Sequence, residues 1–274
     1  MADTTAGDNT YAEAEKVLET MKSAPDKSSP SLENLIETLD LGEEVLHPGR
    51  LETTKGLAEL CHIRKDSRVL DVASGTGESL CFLAQTFHCH AVGVDFSEAM
   101  VRRAQRKAQE RHLAVEFQQG DAHHLPFDPG SFDVAISECT LCLLDKGAAL
   151  KEMVRVVRPE GYVGFHDLCW KPSAPEQLKR RLAEIEEERP ETAEGWKHLM
   201  EGVGLIDVLA VDKSNLMPQW TRDFKRRLGM LGQLSAIWHI LTRWGIRGLA
   251  RIKESESIFS SEHMGYCLIV GKRS

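Results

Sequence analysis

The residues best suited to chemistry lie in a short turn between an apolar strand and a helix. The run reads Asp71-Val72-Ala73-Ser74-Gly75-Thr76-Gly77, so small side chains follow a carboxylate at the strand end. Gly75 and Gly77 let the backbone approach a ligand closely, because no Cβ stands in the way. The helix that opens after them presents free N–H groups at the same place. The turn is a candidate ligand loop, although tight turns without a ligand also look like this.

A second carboxylate favours the ligand interpretation. Asp95 ends the next apolar run, about twenty residues after the loop. In a doubly wound sheet, an acid at that place lies beside the glycine loop and accepts hydrogen bonds from both ribose hydroxyls. Asp71 would repel a pyrophosphate but can accept from an ammonium group. The pattern indicates a ligand with an amino acid part, a ribose and no phosphate, and S-adenosylmethionine (product S-adenosylhomocysteine) fits.

Strands alternating with helices must hold these acids in place, and the alternation begins at Arg68. Apolar runs predict strands at Arg68–Val72, Cys89–Val94, Ala114–Gln118, Phe132–Ser137, Tyr162–His166, Ile206–Val211 and Tyr266–Val270. Amphipathic stretches predict helices at Tyr11–Met21, Leu32–Leu39, Leu51–Cys61, Glu78–Phe87, Ser97–His112 and Asp145–Val157, and an acidic, solvated helix at Glu184–Glu194. This order is typical of βαβ units around a parallel sheet.

One block before the last strand does not fit the alternation. Residues 222–253 contain eight Lys or Arg and a single acid, a net charge of +7, together with Trp238 and Trp244. A lid over a substrate pocket is the favoured interpretation, with weak affinity for a membrane surface as an additional property. An ordinary helical appendage or a dimer contact is the alternative. Glycines argue against one continuous helix: Gly229, Gly232, Gly245 and Gly248.

Composition predicts a folded cytoplasmic enzyme. The chain has 274 residues and a net charge of −8, which disfavours a general nucleic-acid binder because phosphate contacts need clustered cations. It contains no run of 18 apolar residues, and its first residues do not resemble a secretory signal. Seven scattered cysteines, an odd number, do not suggest a disulfide framework.

Between about Arg68 and Asp167 the chain resembles the class I S-adenosylmethionine-dependent methyltransferases. The resemblance is greatest to the ubiquinone/menaquinone-biosynthesis (methyltransferase type 11) branch. It rests on the stretches VLDVASGTGES, AVGVDFSEAM, GDAHHLPFDPGSFDVAIS and ALKEMVRVVRPEGYVGFHD. The resemblance implies an α/β fold: a Rossmann-like, doubly wound, seven-stranded sheet, with N-terminal helices and a helical insertion before an antiparallel last strand. We expect residues 1–50 to form an N-terminal helical cap and residues 51–274 the methyltransferase domain, with the helical lid insertion at about 215–263.

The same resemblance implies roles for individual residues. Asp71 would bind the methionine ammonium, Asp95 the ribose, and Ser137 would lie near the sulfonium. The remaining cofactor-binding candidates shape the loop or line the adenine pocket: Ala73, Ser74, Gly75, Gly77, Phe96, Met100, Asp121 and Ala122. Position 73 is alanine, where glycine is common in the family. Because alanine is the smallest alternative, we expect it to disturb the loop little. No metal site is expected, since methyl transfer mainly requires alignment of the reactants.

Substrate residues are expected at the exits of the fourth and fifth strands, in the N-terminal segment and in the insertion. Glu138 and His47 are the catalytic candidates. The substrate candidates are Tyr11, Glu138, Cys139, Cys169 and Trp238. Cys139 stands where arsenite methyltransferases have a thiol in a similar Ser-x-Cys context, but free cysteines are commonly small buried hydrophobes.

The sequence therefore predicts methyl transfer to a small or lipophilic molecule. One alternative is an arsenite or thiol-type methyltransferase that uses Cys139 and Cys169. Another is a catalytically silent, cofactor-binding regulator. Nucleic-acid methylation is disfavoured, because Ser-Glu-Cys-Thr follows the fourth strand in place of an Asn-Pro-Pro-Tyr-like tetrapeptide. The acceptor atom and the oligomeric state stay open.

Overall fold

The computed structural model describes residues 47–274, together with Pro30. The helices are α1 (Arg50–Leu60), α2 (Glu78–Phe87), α3 (Glu98–Glu110), α4 (Lys146–Val156), α5 (Glu176–Glu186), α6 (Ala193–Gly202) and α7 (Met217–Phe259). The strands are β1 (Arg68–Val72), β2 (His90–Asp95), β3 (Val115–Gln119), β4 (Phe132–Glu138), β5 (Val157–Trp170), β6 (Glu191–Thr192), β7 (Leu205–Asp212) and β8 (Met264–Arg273). Tyr11, the two earlier predicted helices and most of the predicted N-terminal cap lie outside the described residues.

The strands form one sheet in the order β3-β2-β1-β4-β5-β8-β7, and the two-residue strand β6 pairs with β5. Neighbours from β3 to β5 are parallel, whereas β8 is antiparallel to both β5 and β7. The predicted fold class and the antiparallel last strand are confirmed. The strand order reverses between β1 and β4, and in such sheets ligands bind at the carboxyl ends beside that point.

Two apolar cores, one on each face of the sheet, fix these strand ends. Alternate residues of β1 enter opposite cores, with Val69 on one side and Leu70 on the other. Helices α1, α2 and α3 cover the first face, and α4 and α6 cover the second. Burial on both faces explains why these strands appear in the sequence as continuous apolar runs.

Two predicted helical features are wrong. The acidic helix Glu184–Glu194 does not form: α5 ends at Glu186, and Pro190, which disfavours helix in the residue before it, precedes β6. Glu186 is also buried rather than solvated, and it accepts a hydrogen bond from Ser255 of α7.

The basic block belongs to a single 43-residue helix, α7, despite its glycines. Helical glycines cost about 1 kcal/mol each, and the contacts of α7 with α5 offset this cost. They include Ile258 and Phe259 against Leu182 and a paired Arg181–Glu254 contact. Gly245, with φ 66°, is the one α7 residue in the left-handed region. None of the helices in residues 47–274 is long and apolar enough to cross a bilayer.

Candidate active site

The loop after β1 depends on three residues in left-handed backbone conformations. Ala73, Gly75 and Gly77 have φ values of 62°, 52° and 74°. A Cβ at Gly77 would lie 2.5 Å from the Phe117 ring, so only glycine fits there. Ala73 does carry a Cβ, and a left-handed non-glycine residue costs roughly 1–2 kcal/mol. Alanine at this position is therefore not free of strain.

Asp95, at the end of β2, is tied to this loop. Its Oδ2 accepts from the Gly75 N–H at 2.8 Å, and its Oδ1 accepts from the Ser97 N–H at 2.8 Å. A carboxylate has about four lone-pair sites, so each oxygen keeps capacity for a further donor such as a ribose hydroxyl. Phe96 is 50% exposed beside Asp95, and the Met100 N–H is capped by the Ser97 hydroxyl.

Asp71, at the end of β1, is a buried carboxylate without a complete set of partners. It is 3% exposed, and its Oδ1 makes no hydrogen bond with any described residue. Burial raises the pKa of Asp71 well above its usual range, and the nearby carboxylates of Glu138 and Asp95 raise it further. The buried Ser74 hydroxyl is also without a partner among the described residues. A cationic ligand with hydrogen-bond donors, such as the ammonium end of S-adenosylmethionine, fits this arrangement.

The other three predicted cofactor positions already have contacts within the protein. Asp121 accepts from the His123 N–H at 2.9 Å and contacts the His123 ring at 2.7 Å. Burial alone would raise the pKa of Asp121, but these contacts lower it. Ala122 packs beside the apolar core, and the buried Ser137 hydroxyl donates to the Val72 carbonyl at 2.9 Å. Their contacts with a cofactor stay predictions.

Three side chains from distant parts of the chain meet next to Asp71, and we call His47, Glu138 and His166 the acceptor cluster. Glu138, the last residue of β4, has Oε2 3.2 Å from His47 Nε2 and Oε1 3.0 Å from His166 Nε2. The centroids of the two imidazole rings lie 4.2 Å apart. Ser79, in the first turn of α2, donates to Glu138 Oε2 and thereby links the cluster to the glycine loop.

A second layer of contacts holds the rings. His166 Nδ1 lies 2.5 Å from the Tyr266 hydroxyl, and His47 Nδ1 lies 3.3 Å from the Pro48 carbonyl. Burial would raise the pKa of Glu138, but the two imidazoles hold it well below its usual range, so the carboxylate is ionised. Burial, with His47 nearby, lowers the pKa of His166.

Sequence reasoning identified His47 and Glu138 separately but missed His166 and Tyr266. Both missed residues lie inside strands, where they were counted as part of an apolar run. A histidine in a strand that is buried on both faces was the available signal, because a buried ionisable side chain needs a partner.

The comparisons with known proteins agree with this geometry. Residues 63–226, more than half of the chain, match the family model described as a methyltransferase domain. The chain belongs to the methyltransferase-domain family. Phosphoethanolamine N-methyltransferase 1 of Arabidopsis thaliana is 29% identical over 193 residues, 68% of this chain and 38% of that enzyme. The demethylmenaquinone methyltransferase of Lactiplantibacillus plantarum is 36% identical over 121 residues, 42% of this chain and 49% of that one.

Solved structures show the same fold. The cyclase SpnF superimposes with a TM-score of 0.72 at 22% identity, covering 89% of this chain and 93% of that one. The predicted resemblance to class I methyltransferases is confirmed. The chain spans less than half the length of the two enzymes above, so the activity of either whole enzyme does not transfer to it directly.

The predicted thiol residues of the chain are poorly placed for thiolate chemistry. Cys139 Sγ lies 3.2 Å from the Tyr266 hydroxyl, and burial raises its pKa well above the usual range, with Asp167 as a further cause. Cys169 is buried, and its contact with Cys267 raises the pKa of the Cys267 thiol. Because the thiolate is the metal ligand and nucleophile, the arsenite alternative is not favoured.

A cavity of about 440 Å³ opens beside the acceptor cluster, with His47 in its wall. It lies between α1, the start of α7 and β8. Its other lining residues are Gly49, Arg50, Glu52, Thr53, Gly56, Asp212, Lys213, Asn215, Leu216, Gln219, Trp220, Asp223 and Leu268. Trp220 contributes to the wall, whereas Trp238 is 71% exposed on α7 and is not part of it. The substrate role of Trp238 stays a prediction.

Proposed function

We propose that the chain transfers a methyl group from S-adenosylmethionine to a small acceptor molecule held at the acceptor cluster. The observation that carries this proposal is that two buried carboxylates lie close together and that their pKa values are shifted in opposite directions. Asp71 Oδ1 has no hydrogen-bond partner among residues 47–274 and the pKa of Asp71 is raised, while Glu138 is paired with imidazoles and its pKa is lowered. One carboxylate suits a cationic ligand, and the other suits an acceptor next to that ligand.

The cofactor half would work by positioning. Asp71 would bind the ammonium group, Asp95 the ribose hydroxyls, and the exposed face of Phe96 would pack on the adenine. The left-handed loop brings the backbone close to the methionine part, because Gly75 and Gly77 have no Cβ. When bound, S-adenosylmethionine supplies a methyl group already activated by a sulfonium, so the protein must chiefly align the acceptor with it.

The acceptor half would orient the nucleophile and receive its proton. As the acceptor's lone pair forms the new bond to the methyl carbon, the carbon–sulfur bond breaks and sulfur keeps the electron pair. A proton on the acceptor would pass to the Glu138 carboxylate, which is ionised and in contact with His47 on the cavity side. A positioned acid or base of this kind contributes about 10²- to 10⁴-fold in rate.

The cavity favours a small molecule over a macromolecule. Its volume of about 440 Å³ lies within the usual range of small-molecule sites, about 300–1,000 Å³. Its wall combines cations such as Lys213, acids such as Glu52 and apolar groups such as Trp220 and Leu268. An acceptor with both polar and apolar parts suits this wall. We propose a cytoplasmic location for the chain.

The test is formation of S-adenosylhomocysteine on a panel of small amines, phenols, thiols and quinols. We expect turnover on at least one class, and its loss in Glu138→Gln but not in Glu116→Gln, which changes an exposed carboxylate on β3. Cofactor binding by the wild type without turnover on any class would instead support the silent regulator.

We also propose a weak contact between α7 and an anionic membrane surface. Leu234, Ile237, Trp238 and Leu241 are exposed at helical spacing, and Arg243 and Arg247 follow on the same helix. Cations beside apolar residues complement anionic headgroups. Co-sedimentation with phosphatidylserine vesicles should be measurable and should decrease in Trp238→Ser. Equal sedimentation of the wild type with and without vesicles would contradict the contact.

A further inference from the structure

We propose that the acceptor cluster of His47, Glu138 and His166 binds one divalent transition-metal ion, with Zn²⁺ as the first candidate. The role suggested for this ion, holding the acceptor, rests on the proposed function. Binding of the ion itself does not, and it can be tested separately.

The spacing of the three side chains is that of a coordination site. Each offers one ligand atom, and these atoms all lie within 4.8 Å of one another. His47 Nε2 lies 3.2 Å from Glu138 Oε2, and His166 Nε2 lies 3.0 Å from the other carboxylate oxygen, Oε1. A tetrahedral ion with bonds of about 2.0–2.1 Å holds its ligand atoms roughly 3.3 Å apart. Small movements of the side chains would therefore admit an ion.

Contacts outside the cluster orient all three ligands inward. The Pro48 carbonyl can only accept a hydrogen bond, so His47 Nδ1 carries a proton, and Nε2, which faces Glu138, is the nitrogen that can release its own proton and bind an ion. The Tyr266 hydroxyl, which can donate or accept, contacts Nδ1 of His166 and leaves Nε2 facing Glu138, and Ser79 donates to Glu138 Oε2. Histidines that bind metals typically have the second ring nitrogen engaged by such a partner.

Two atoms at the centre of the cluster lack hydrogen bonds. His166 Nε2 and Glu138 Oε1 are buried and lie 3.0 Å apart, at ion-pair distance, but they are not aligned for a hydrogen bond, and no other described residue makes one with either atom. Buried polar atoms without well-formed hydrogen bonds are destabilising. Protonating both rings would place two cations in rings whose centroids are 4.2 Å apart. A single divalent ion among the three ligand atoms satisfies them without that repulsion.

The donor set selects the class of metal. Two imidazoles with one carboxylate suit Zn²⁺, Fe²⁺, Co²⁺ or Ni²⁺, whereas Mg²⁺ and Ca²⁺ prefer oxygen ligands only. Three protein ligands leave at least one coordination position open. Because His47 also lines the cavity, that position would be available to a hydroxyl, thiol or amine of the acceptor.

The experiment uses the full chain, stripped with a chelator, dialysed, and titrated with Zn²⁺ and with Co²⁺. We expect one ion per chain by elemental analysis, together with Co²⁺ ligand-field absorption. His47→Gln and Glu138→Gln should weaken Zn²⁺ binding at least 100-fold, and Tyr266→Phe should weaken it about 10-fold or more. His62→Gln changes an exposed histidine outside the cluster and should have no effect. Circular dichroism of each variant checks that it is folded.

Absence of stoichiometric metal binding in the wild type would overturn the inference, as would unchanged affinity in folded His47→Gln and Glu138→Gln variants. Titration of S-adenosylhomocysteine into the same stripped protein separates the two proposals. Nucleoside binding without metal binding removes only the metal site. Metal binding without nucleoside binding removes the proposed function and leaves the metal site standing.

Discussion

The cofactor half and the acceptor half of the site differ in how the chain builds them. The core of the cofactor half comes from one short stretch, Asp71 to Phe96, and it depends on backbone conformation in one turn. The acceptor half joins residues 47, 79, 138, 166 and 266, which meet only because the sheet places β4, β5 and β8 side by side. A local turn can be recognised in a sequence, whereas a meeting of distant residues requires the fold.

The two halves also differ electrostatically. Asp71 is a buried acid, and its pKa is raised by burial and by the nearby carboxylates of Glu138 and Asp95. A cationic ligand would stabilise its ionised form. Glu138 is a buried acid with two imidazoles, and its lowered pKa reflects their presence. The first half is therefore complete only with a ligand, while the second already contains most of its own polar partners. Four predictions test how the two halves are built.

The largest expected effect is on catalysis. Glu138→Gln should lower kcat by about 10²- to 10⁴-fold, because the neutral amide no longer receives the acceptor's proton. Affinity for S-adenosylhomocysteine should stay within about threefold, since the cofactor half is intact. Initial rates and calorimetry measure the two effects, and Glu116→Gln is the matched control. A parallel loss of affinity would show that the two halves are not separable.

The second effect is on the free energy of unfolding, through substitutions in the loop after β1. Gly77→Ala should lower the free energy of unfolding by about 3 kcal/mol, because it combines a left-handed alanine with a clash against Phe117. Gly75→Ala, whose added Cβ would meet nothing within 4 Å, should cost only about 1–2 kcal/mol. Denaturant unfolding of the pair provides the measurement. Equal costs at both positions would contradict the packing described for the loop.

The third effect is on cofactor affinity. Asp71→Asn should weaken binding of S-adenosylhomocysteine roughly 30- to 100-fold, the value of a charged hydrogen bond of about 2–3 kcal/mol. Because the pKa of Asp71 is raised in the free protein, the wild-type affinity should fall as the pH is lowered and Asp71 becomes protonated. This fall should be absent in the variant. Asp66→Asn, at an exposed acid before β1, should behave as wild type at every pH.

The smallest effect concerns strain. Ala73→Gly should raise the free energy of unfolding by about 0.5–1 kcal/mol, because the relief of a left-handed alanine exceeds the entropic cost of glycine. Thermal unfolding would detect this change. A lower melting temperature would mean that Ala73 makes contacts that outweigh its strain.

The sequence predicted the features that depend on a local pattern, and it did not predict those that depend on contacts between distant residues. The bounds of β1 and α2 are as predicted, because a buried strand and a glycine turn each leave a local pattern. β5 is longer than predicted: it runs from Val157 to Trp170, since β4 pairs with it at Val157 and β8 pairs with it as far as Trp170. The full length of α7 was not predicted, because packing against α5 outweighs the glycines. The contacts of His166 were not predictable from spacing, since Glu138 lies on the adjacent parallel strand and Tyr266 on the adjacent antiparallel one.

A crystal structure of the full chain with S-adenosylhomocysteine tests the central claim most directly. We predict that the amino group of the nucleoside lies within hydrogen-bond distance of Asp71 Oδ1 and that both ribose hydroxyls bind Asp95. The sulfur should face the acceptor cluster. Electron density for the nucleoside elsewhere, or an Asp71 Oδ1 that stays without a partner in the complex, would contradict the account.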